Sequence, residues 1–141
     1  MKAGEKAIYV YDRAEIDSGK IAESSIAFDA GDDLTTEKKT ASISIAEPCH
    51  PHDYYLLAIE KPIEATAETL TVTVYNEIKI NGTDSRDTEL SSFAIGDSTG
   101  AVVYECKLIQ GLFVGEGSVK IGAKFAVDSG AVTVYFKLFR L

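Results

Sequence analysis

The sequence has few of the residues that cross-link small proteins or bind metals, with two cysteines, two histidines and no tryptophan among 141 residues. Two cysteines are too few for a disulfide-rich scaffold, and a structural zinc site needs four ligands. No apolar run approaches the ~20 residues of a membrane-spanning helix, and residues 1–17 lack the apolar centre of a signal peptide. We therefore expect a protein made in the cytoplasm, with no membrane partner and with reduced thiols at Cys49 and Cys106.

Acidic residues outnumber basic ones, with 22 Asp and Glu against 14 Lys and Arg and a net charge of −8. Nucleic-acid-binding domains normally carry a basic surface, so this balance argues against nucleic acid as a partner. A chain of 141 residues has the size of one domain and can bury a core without cross-links. We predict a single domain over residues 1–141, in which residues 1–30 form an arm or an edge strand.

Apolar and polar residues alternate with a period of two along much of the chain, which is typical of half-buried β-strands. Such runs occur at 69–80, 101–109, 117–127 and 131–141, and weaker ones at 7–11, 24–28 and 41–45. Residues 54–60 are apolar at both parities, as in a strand that is covered on both faces. Turn signals separate these segments, and no convincing amphipathic helix of ten or more residues is present. The sequence predicts an all-β fold, an antiparallel two-sheet sandwich or jelly roll.

The parity of each run predicts which side chains face the core. The predicted inward residues are Leu70, Val72, Val74, Ile78 and Ile80; Val102, Tyr104, Cys106 and Leu108; Val119, Ile121, Ala123, Phe125 and Val127; and Val132, Val134, Phe136 and Leu138. Threonines and lysines of the opposite parity are predicted to face water.

One cysteine and both histidines fall within the pentapeptide CHPHD, residues 49–53. In an extended segment His50 and His52 share a face, but Cys49 points away from them, and no further ligand nearby completes a metal site. The same geometry keeps Cys49 and His50 from sharing a proton as a nucleophilic pair. We predict a polar loop that leads into the strand at 54–60; a metal site or a metal-dependent jelly-roll enzyme centred on the two histidines is the alternative.

Two further segments contain residue types that bind ions. The acidic stretch FDAGDDLTTE, residues 28–37, does not have the spacing of an EF-hand calcium loop and is predicted to be a solvated loop. The glycines of LIQGLFVGEG, residues 108–117, precede no helix, so they are predicted to form turns rather than a phosphate-binding loop. We predict no catalytic residue, no cofactor and no metal site.

The C-terminal run carries aromatic and apolar residues on the parity that should face water, namely Tyr135, Phe139 and Leu141. An apolar surface of this kind is typical of a contact with another protein, although a covering loop or the N-terminal segment would also bury it. Tyr9 and Tyr11 present the same alternatives, because an N-terminal strand could pair with a neighbour's sheet edge. We predict that these five residues are interface residues.

The order of the segments resembles that of the small jelly-roll head proteins of tailed bacteriophages, the cement or decoration proteins of Bordetella-type podoviruses and their prophage relatives. The residues that carry the resemblance are Phe28-Asp29-Ala30-Gly31; Tyr55, Leu57, Ile59 and Ile63; Leu70 to Val74; and Leu108, Gly111 and Gly115. The charged loop at 30–47 and the CHPHD segment depart from that family. The resemblance covers most of the chain, through strand and turn patterns.

The resemblance implies a non-enzymatic capsid decoration protein that binds the outside of the head shell. Its partners would be the major capsid protein and other copies of itself, as a dimer or trimer. It would be made in the bacterial host cytoplasm and reside on the outer surface of the virion. The alternative function is that of a carbohydrate- or ligand-binding β-sandwich module, which the seven tyrosines permit although tryptophan is absent.

Overall fold

The computed structural model describes residues 20–44, 54–61, 69–79, 81, 85–96, 103–112, 118–128 and 130–141. The predicted strand at 7–11 and the CHPHD segment lie outside these ranges. The strands are β1 (Lys20–Phe28), β2 (Lys38–Lys39), β3 (Tyr54–Lys61), β4 (Leu70–Lys79), β5 (Ser85–Ile95), β6 (Val103–Gln110), β7 (Ser118–Phe125) and β8 (Val132–Arg140). Over the described ranges the chain contains no helix, and hence none long and apolar enough to cross a membrane.

The eight strands form two antiparallel four-stranded sheets. We name them sheet A, with the order β1-β8-β3-β6, and sheet B, with the order β2-β7-β4-β5. All the pairings within both sheets are antiparallel. Two facing sheets in which most successive strands alternate between sheets constitute a jelly roll. The predicted all-β, two-sheet fold is confirmed.

The inner faces of the two sheets enclose one hydrophobic core. Phe28 and Phe125 meet there edge to face, with ring centroids 5.7 Å apart, a geometry that the ring quadrupoles favour. Leu34 and Leu112 lie outside the strands and are also buried. The core forms because every second residue is apolar along β7, along β4 as far as Val74 and along β8 as far as Leu138, and these strands occupy inner positions of the sheets.

Most of the predicted inward residues are buried in this core. Those confirmed are Leu70, Val72, Val74, Val119, Ile121, Ala123, Phe125, Val132, Val134, Phe136 and Leu138. Leu56 and Ala58 are buried on the opposite face of β3, which confirms that this strand is covered on both sides. The prediction was wrong at Ile78 and Val127, which are exposed. Val127 lies beyond the end of β7, and Ile78 lies near the end of β4, where the sandwich no longer covers the strand.

The inward and outward faces of β6 are the reverse of those predicted. Tyr104 and Leu108 are exposed, whereas Ile109 is buried in the core. β6 is an edge strand, so the inner face there is only half covered and tolerates charge. Lys107 lies on this inner face. Its ammonium group is 5.8 Å from the centre of the Phe93 ring and 3.8 Å from the Glu105 carboxylate. The alternating pattern therefore predicts the strand correctly but predicts the wrong side of it to face the core.

Two local features were not anticipated from the sequence. β5, Ser85–Ile95, is the longest strand and forms the other edge of sheet B, although its sequence does not alternate. The run at 41–45 forms only an isolated bridge between Ile43 and Val119 over its described part. Both segments border β4 or β7, so their conformation is determined by the neighbouring strand rather than by their own residues.

Candidate functional site

Seven large hydrophobic side chains are exposed among the described residues, and five of them share the outer face of sheet A. They are Tyr54, Tyr104, Leu108, Tyr135 and Leu141, with Ile78 and Val127 elsewhere. Each of the five has the parity that points away from sheet B, since the neighbouring residues of opposite parity belong to the core between the sheets. This face is therefore the candidate binding surface of the described chain.

One end of this face is apolar. Leu56 pairs in register with Phe139 on one side and with Leu108 on the other, and the backbone N–H of Leu141 donates to the Tyr54 carbonyl at 3.2 Å. Leu56 and Phe139 are buried, whereas Tyr54, Leu108 and Leu141 are 50%, 61% and 64% exposed. We call these three exposed residues the apolar end. They extend a buried cluster of Leu56, Ala58 and Phe139 out to the surface.

The other end of the face carries two tyrosines on either side of a carboxylate. Glu60 pairs in register with Tyr104 of β6 and with Tyr135 of β8, and Tyr135 pairs with Ser25 of β1. We call these four residues the tyrosine row. Because neighbouring strands are ~4.8 Å apart, the Cα atoms of the two tyrosines are separated by about 10 Å. Six residues of extended chain, about 20 Å, separate Tyr135 from Leu141 along the sheet.

The structure therefore separates the predicted interface residues from one another. Leu141 belongs to the apolar end, Tyr135 belongs to the tyrosine row, and Phe139 is completely buried between them. Tyr9 and Tyr11 lie outside the described residues. The sequence pattern does not identify Tyr54, Tyr104 or Leu108 as surface residues. Its alternation predicts that Tyr104 and Leu108 face the core, and residues 54–60 are apolar at both parities, so neither face of that strand is predicted to be exposed.

The outer face of sheet B is polar and internally hydrogen-bonded. Its centre is Glu77 of β4, whose side chain is only 8% exposed and whose carboxylate lies 2.6 Å from the Lys120 ammonium group. The hydroxyl groups of Ser42, Ser85 and Ser118 all donate to the same carboxylate. The hydrogen bonds from Lys120 first, and then from Ser118 and Ser42, lower the pKa of Glu77 to about 2. Glu77 is thus a stably ionised structural group.

A second polar contact on this face links Glu37 to Tyr75. The Tyr75 hydroxyl donates to the two oxygens of the Glu37 carboxylate at 2.8 and 2.7 Å, and the Lys39 ammonium group lies 4.1 Å from the Tyr75 ring centre. Burial and the hydrogen bond to Glu37 raise the pKa of Tyr75 to about 12. Lys39 also pairs with Asp87 at 2.8 Å. The short strand β2 is in this way attached to β4 and β5 by side chains.

Glycine at position 122 makes the Glu37 contact possible, which leads to a testable result. A Cβ atom there would lie 2.7 Å from the Glu37 carboxylate, so Gly122→Ala must displace that group. We expect Tyr75 to ionise at a lower pH in this variant, because it loses a negatively charged acceptor that favours the protonated phenol. Spectrophotometric titration of the tyrosines measures the change. Gly31→Ala, which meets no atom within 4 Å, is the control, and an unchanged Tyr75 titration in Gly122→Ala would contradict the assignment.

In the acidic loop that follows β1, the Asp32 and Asp33 carboxylates accept hydrogen bonds from groups close to them in the sequence. Asp32 accepts from the Asp29 backbone N–H at 2.7 Å and lies 2.9 Å from the Lys38 ammonium group. Asp33 accepts from the backbone N–H and the hydroxyl of Thr35. These hydrogen bonds lower the pKa of both carboxyl groups. In the described part of the chain, no three His, Cys, Asp or Glu side chains come together as metal ligands.

Cys106 lies beside the buried cluster of sheet A and is not part of a disulfide. Burial, followed by the negative charge of Glu105, raises the pKa of this thiol. Because the thiolate is the reactive form, these surroundings make Cys106 a poor nucleophile at neutral pH. Its role in the described structure is that of a small apolar side chain.

Comparisons with known proteins identify only distant structural similarity. No family model matches the sequence, and no curated protein matches it. A protein of the disulfide-linked pili of Bacillus endospore appendages is 16% identical over 85% of this chain and 86% of its own, with a TM-score of 0.41. A family 22 carbohydrate-binding module of Clostridium thermocellum Xyn10B is 10% identical over 82% and 68%, with a TM-score of 0.42.

A family 61 carbohydrate-binding module, solved in complex with β-1,4-galactotriose, is 14% identical over 89% of this chain and 94% of its own, with a TM-score of 0.38. Similarity at these levels says nothing about what this chain binds. The assignment to the jelly-roll sandwiches rests on the strand order and pairing of the chain itself.

Proposed function

We propose that this chain is a non-enzymatic structural protein that decorates a tailed-bacteriophage head, binding the major capsid protein on the outer surface of the shell. The observation that supports the proposal is the apolar end, where Tyr54, Leu108 and Leu141 are exposed around a buried cluster. A few side chains buried at the centre of a contact contribute most of the binding energy of protein interfaces, and tyrosine is prominent among them. The resemblance of the strand and turn order to phage decoration proteins supplies the identity of the partner.

The architecture suits such a role. Two packed sheets form a stiff body. Tyr54 and Leu108 of the apolar end lie on strands of sheet A, and Leu141 directly follows β8 and is hydrogen-bonded to Tyr54, so these residues are held in place before binding. Many copies on one shell strengthen each other's contacts through avidity, so each contact needs only modest affinity. The net charge of −8 keeps unbound copies soluble. Self-association as a dimer or trimer, residence on the virion and synthesis in the host cytoplasm belong to the same proposal.

Co-sedimentation with undecorated phage-like capsids, run beside light scattering of the protein alone, tests the proposal. We expect saturable binding at a fixed ratio to the capsid subunits. Leu108→Asp and Leu141→Asp should each weaken it by at least about tenfold, because a charge is placed in an apolar contact. Val127→Asp is the matched control, since Val127 is 49% exposed but lies away from sheet A. Absence of binding, or equal binding by all three variants, would refute the proposal.

A further inference from the structure

We propose that the tyrosine row is a second binding site, separate from the apolar end, and that its ligand is a neutral saccharide. Tyr104 and Tyr135 are 42% and 48% exposed, and Glu60 lies between them in register. This inference goes beyond the proposed shell binding and does not depend on it, because the row lies about 20 Å from Leu141 along β8.

An open groove adjoins the Tyr135 half of the row. It has a volume of about 590 Å³ and is lined by residues 23–25, Glu60 and residues 135–137, whereas Tyr104 lies outside it, on the other side of Glu60 on β6. Sites for small ligands generally have volumes of about 300–1,000 Å³ and combine aromatic surface with a few polar groups. Because the four strands of sheet A each hold one residue of the row, its side chains start from a rigid backbone, and binding costs little ordering entropy.

The chemistry of the row matches that of a sugar ring. A pyranose has an apolar face of C–H groups and a rim of hydroxyl groups. Each half-exposed tyrosine presents a flat apolar ring with a polar tip. The Glu60 carboxylate accepts hydrogen bonds from hydroxyl groups, and the exposed Ser25 hydroxyl both donates and accepts. Two rings about 10 Å apart can each contact a different sugar unit of one chain.

The charges around the row select against other ligands. The Glu60 carboxylate lies between the two rings, so a phosphate or sulfate group placed there would be repelled. Glu23, which pairs in register with Lys137 on the next rung of the sheet, forms an ion pair with Lys20 at 2.7 Å, so this end of β1 adds no uncompensated positive charge. A second copy of the chain related by two-fold symmetry would bring two Glu60 side chains together, which disfavours self-association through this surface.

Affinity electrophoresis and calorimetry with soluble neutral polysaccharides test the proposal, using xylan, galactan and mixed-linkage β-glucan as probes. We expect the wild-type protein to bind at least one of them. Tyr104→Ala and Tyr135→Ala should each weaken binding about tenfold or more, and Tyr135→Phe should bind nearly as well as wild type, because it keeps the ring. Glu60→Ala should also weaken binding, by loss of charge-assisted hydrogen bonds.

Three controls separate this site from the shell contact. Leu141→Asp should keep saccharide binding, Tyr135→Ala should keep shell binding, and the anionic polymer dextran sulfate should not bind. Lack of binding to all three neutral polysaccharides would overturn the proposal, as would equal binding by wild type and both alanine variants. Saccharide binding that is lost in Leu141→Asp but kept in Tyr135→Ala would also overturn it, because the site would then lie at the apolar end.

Discussion

Replacing Phe139 by alanine is expected to lower the free energy of unfolding by about 3–5 kcal/mol, the usual cost of deleting a fully buried aromatic side chain. Phe139 has no exposed surface and packs with Leu56 and Ala58 on the outer face of sheet A. The loss would be a large fraction of the ~5–15 kcal/mol that stabilises a typical domain. Urea denaturation monitored by circular dichroism measures it.

Tyr135→Ala is the matched control for this experiment, since Tyr135 lies on the same strand and the same face but is 48% exposed. Its cost should be about 1 kcal/mol or less. A cost below about 1 kcal/mol for Phe139→Ala as well would show that Phe139 is not buried in solution. The prediction also changes how an alanine variant of Phe139 is interpreted in binding assays, because lost binding would reflect lost stability.

Replacing Glu77 by glutamine is expected to lower the free energy of unfolding at pH 7 by about 2 kcal/mol, through loss of charge-assisted hydrogen bonds. Since folding lowers the pKa of Glu77 to about 2, from 4.5, the ionised carboxylate stabilises the protein fully above pH 4.5. That contribution declines as the pH falls from 4.5 toward 2. The difference in stability between wild type and Glu77→Gln should therefore be present at pH 7 and nearly absent at pH 2.

Urea denaturation at a series of pH values measures this dependence. Glu89→Gln is the control, because Glu89 lies on the neighbouring strand β5 but is exposed, and its replacement should change stability by less than about 0.5 kcal/mol at every pH. If the stability difference between wild type and Glu77→Gln did not change with pH, the partners of Glu77 would not be lowering the pKa of its carboxyl group in the folded protein.

The sequence predicts the strands at the centre of each sheet well and those at the edges poorly. Val132, Val134 and Phe136 of β8 alternate with polar residues because both faces of the strand have defined environments. At the edge strand β6 the inner face is only partly covered, so Lys107 can lie there, and alternation cannot decide which face is inward. The edge strand β5 takes its conformation from pairing with β4, which no property of its own residues indicates.

The candidate sites depend on contacts between segments that are distant in sequence. Glu60, Tyr104 and Tyr135 come from three strands and meet only because β3 lies between β6 and β8. The donors to Glu77 likewise come from Ser42, Ser85 and Ser118. The local pattern identifies Tyr135 and Leu141 as large side chains on an outward face. Which residues of other strands lie beside them depends on the strand order, which the local pattern does not give.

The strand order also has a consequence for how the chain folds as it is synthesised. Among the described strands, β1 pairs with β8 alone and β2 with β7 alone, so both leave the ribosome long before their partners in this part of the chain. Among the strands that the structure describes, β4 and β5 are the only sheet neighbours that are consecutive in the chain. Such long-range pairing makes folding slow and leaves unpaired strand edges exposed during translation. Chaperones that protect the nascent chain during synthesis are therefore expected to raise the yield of folded protein.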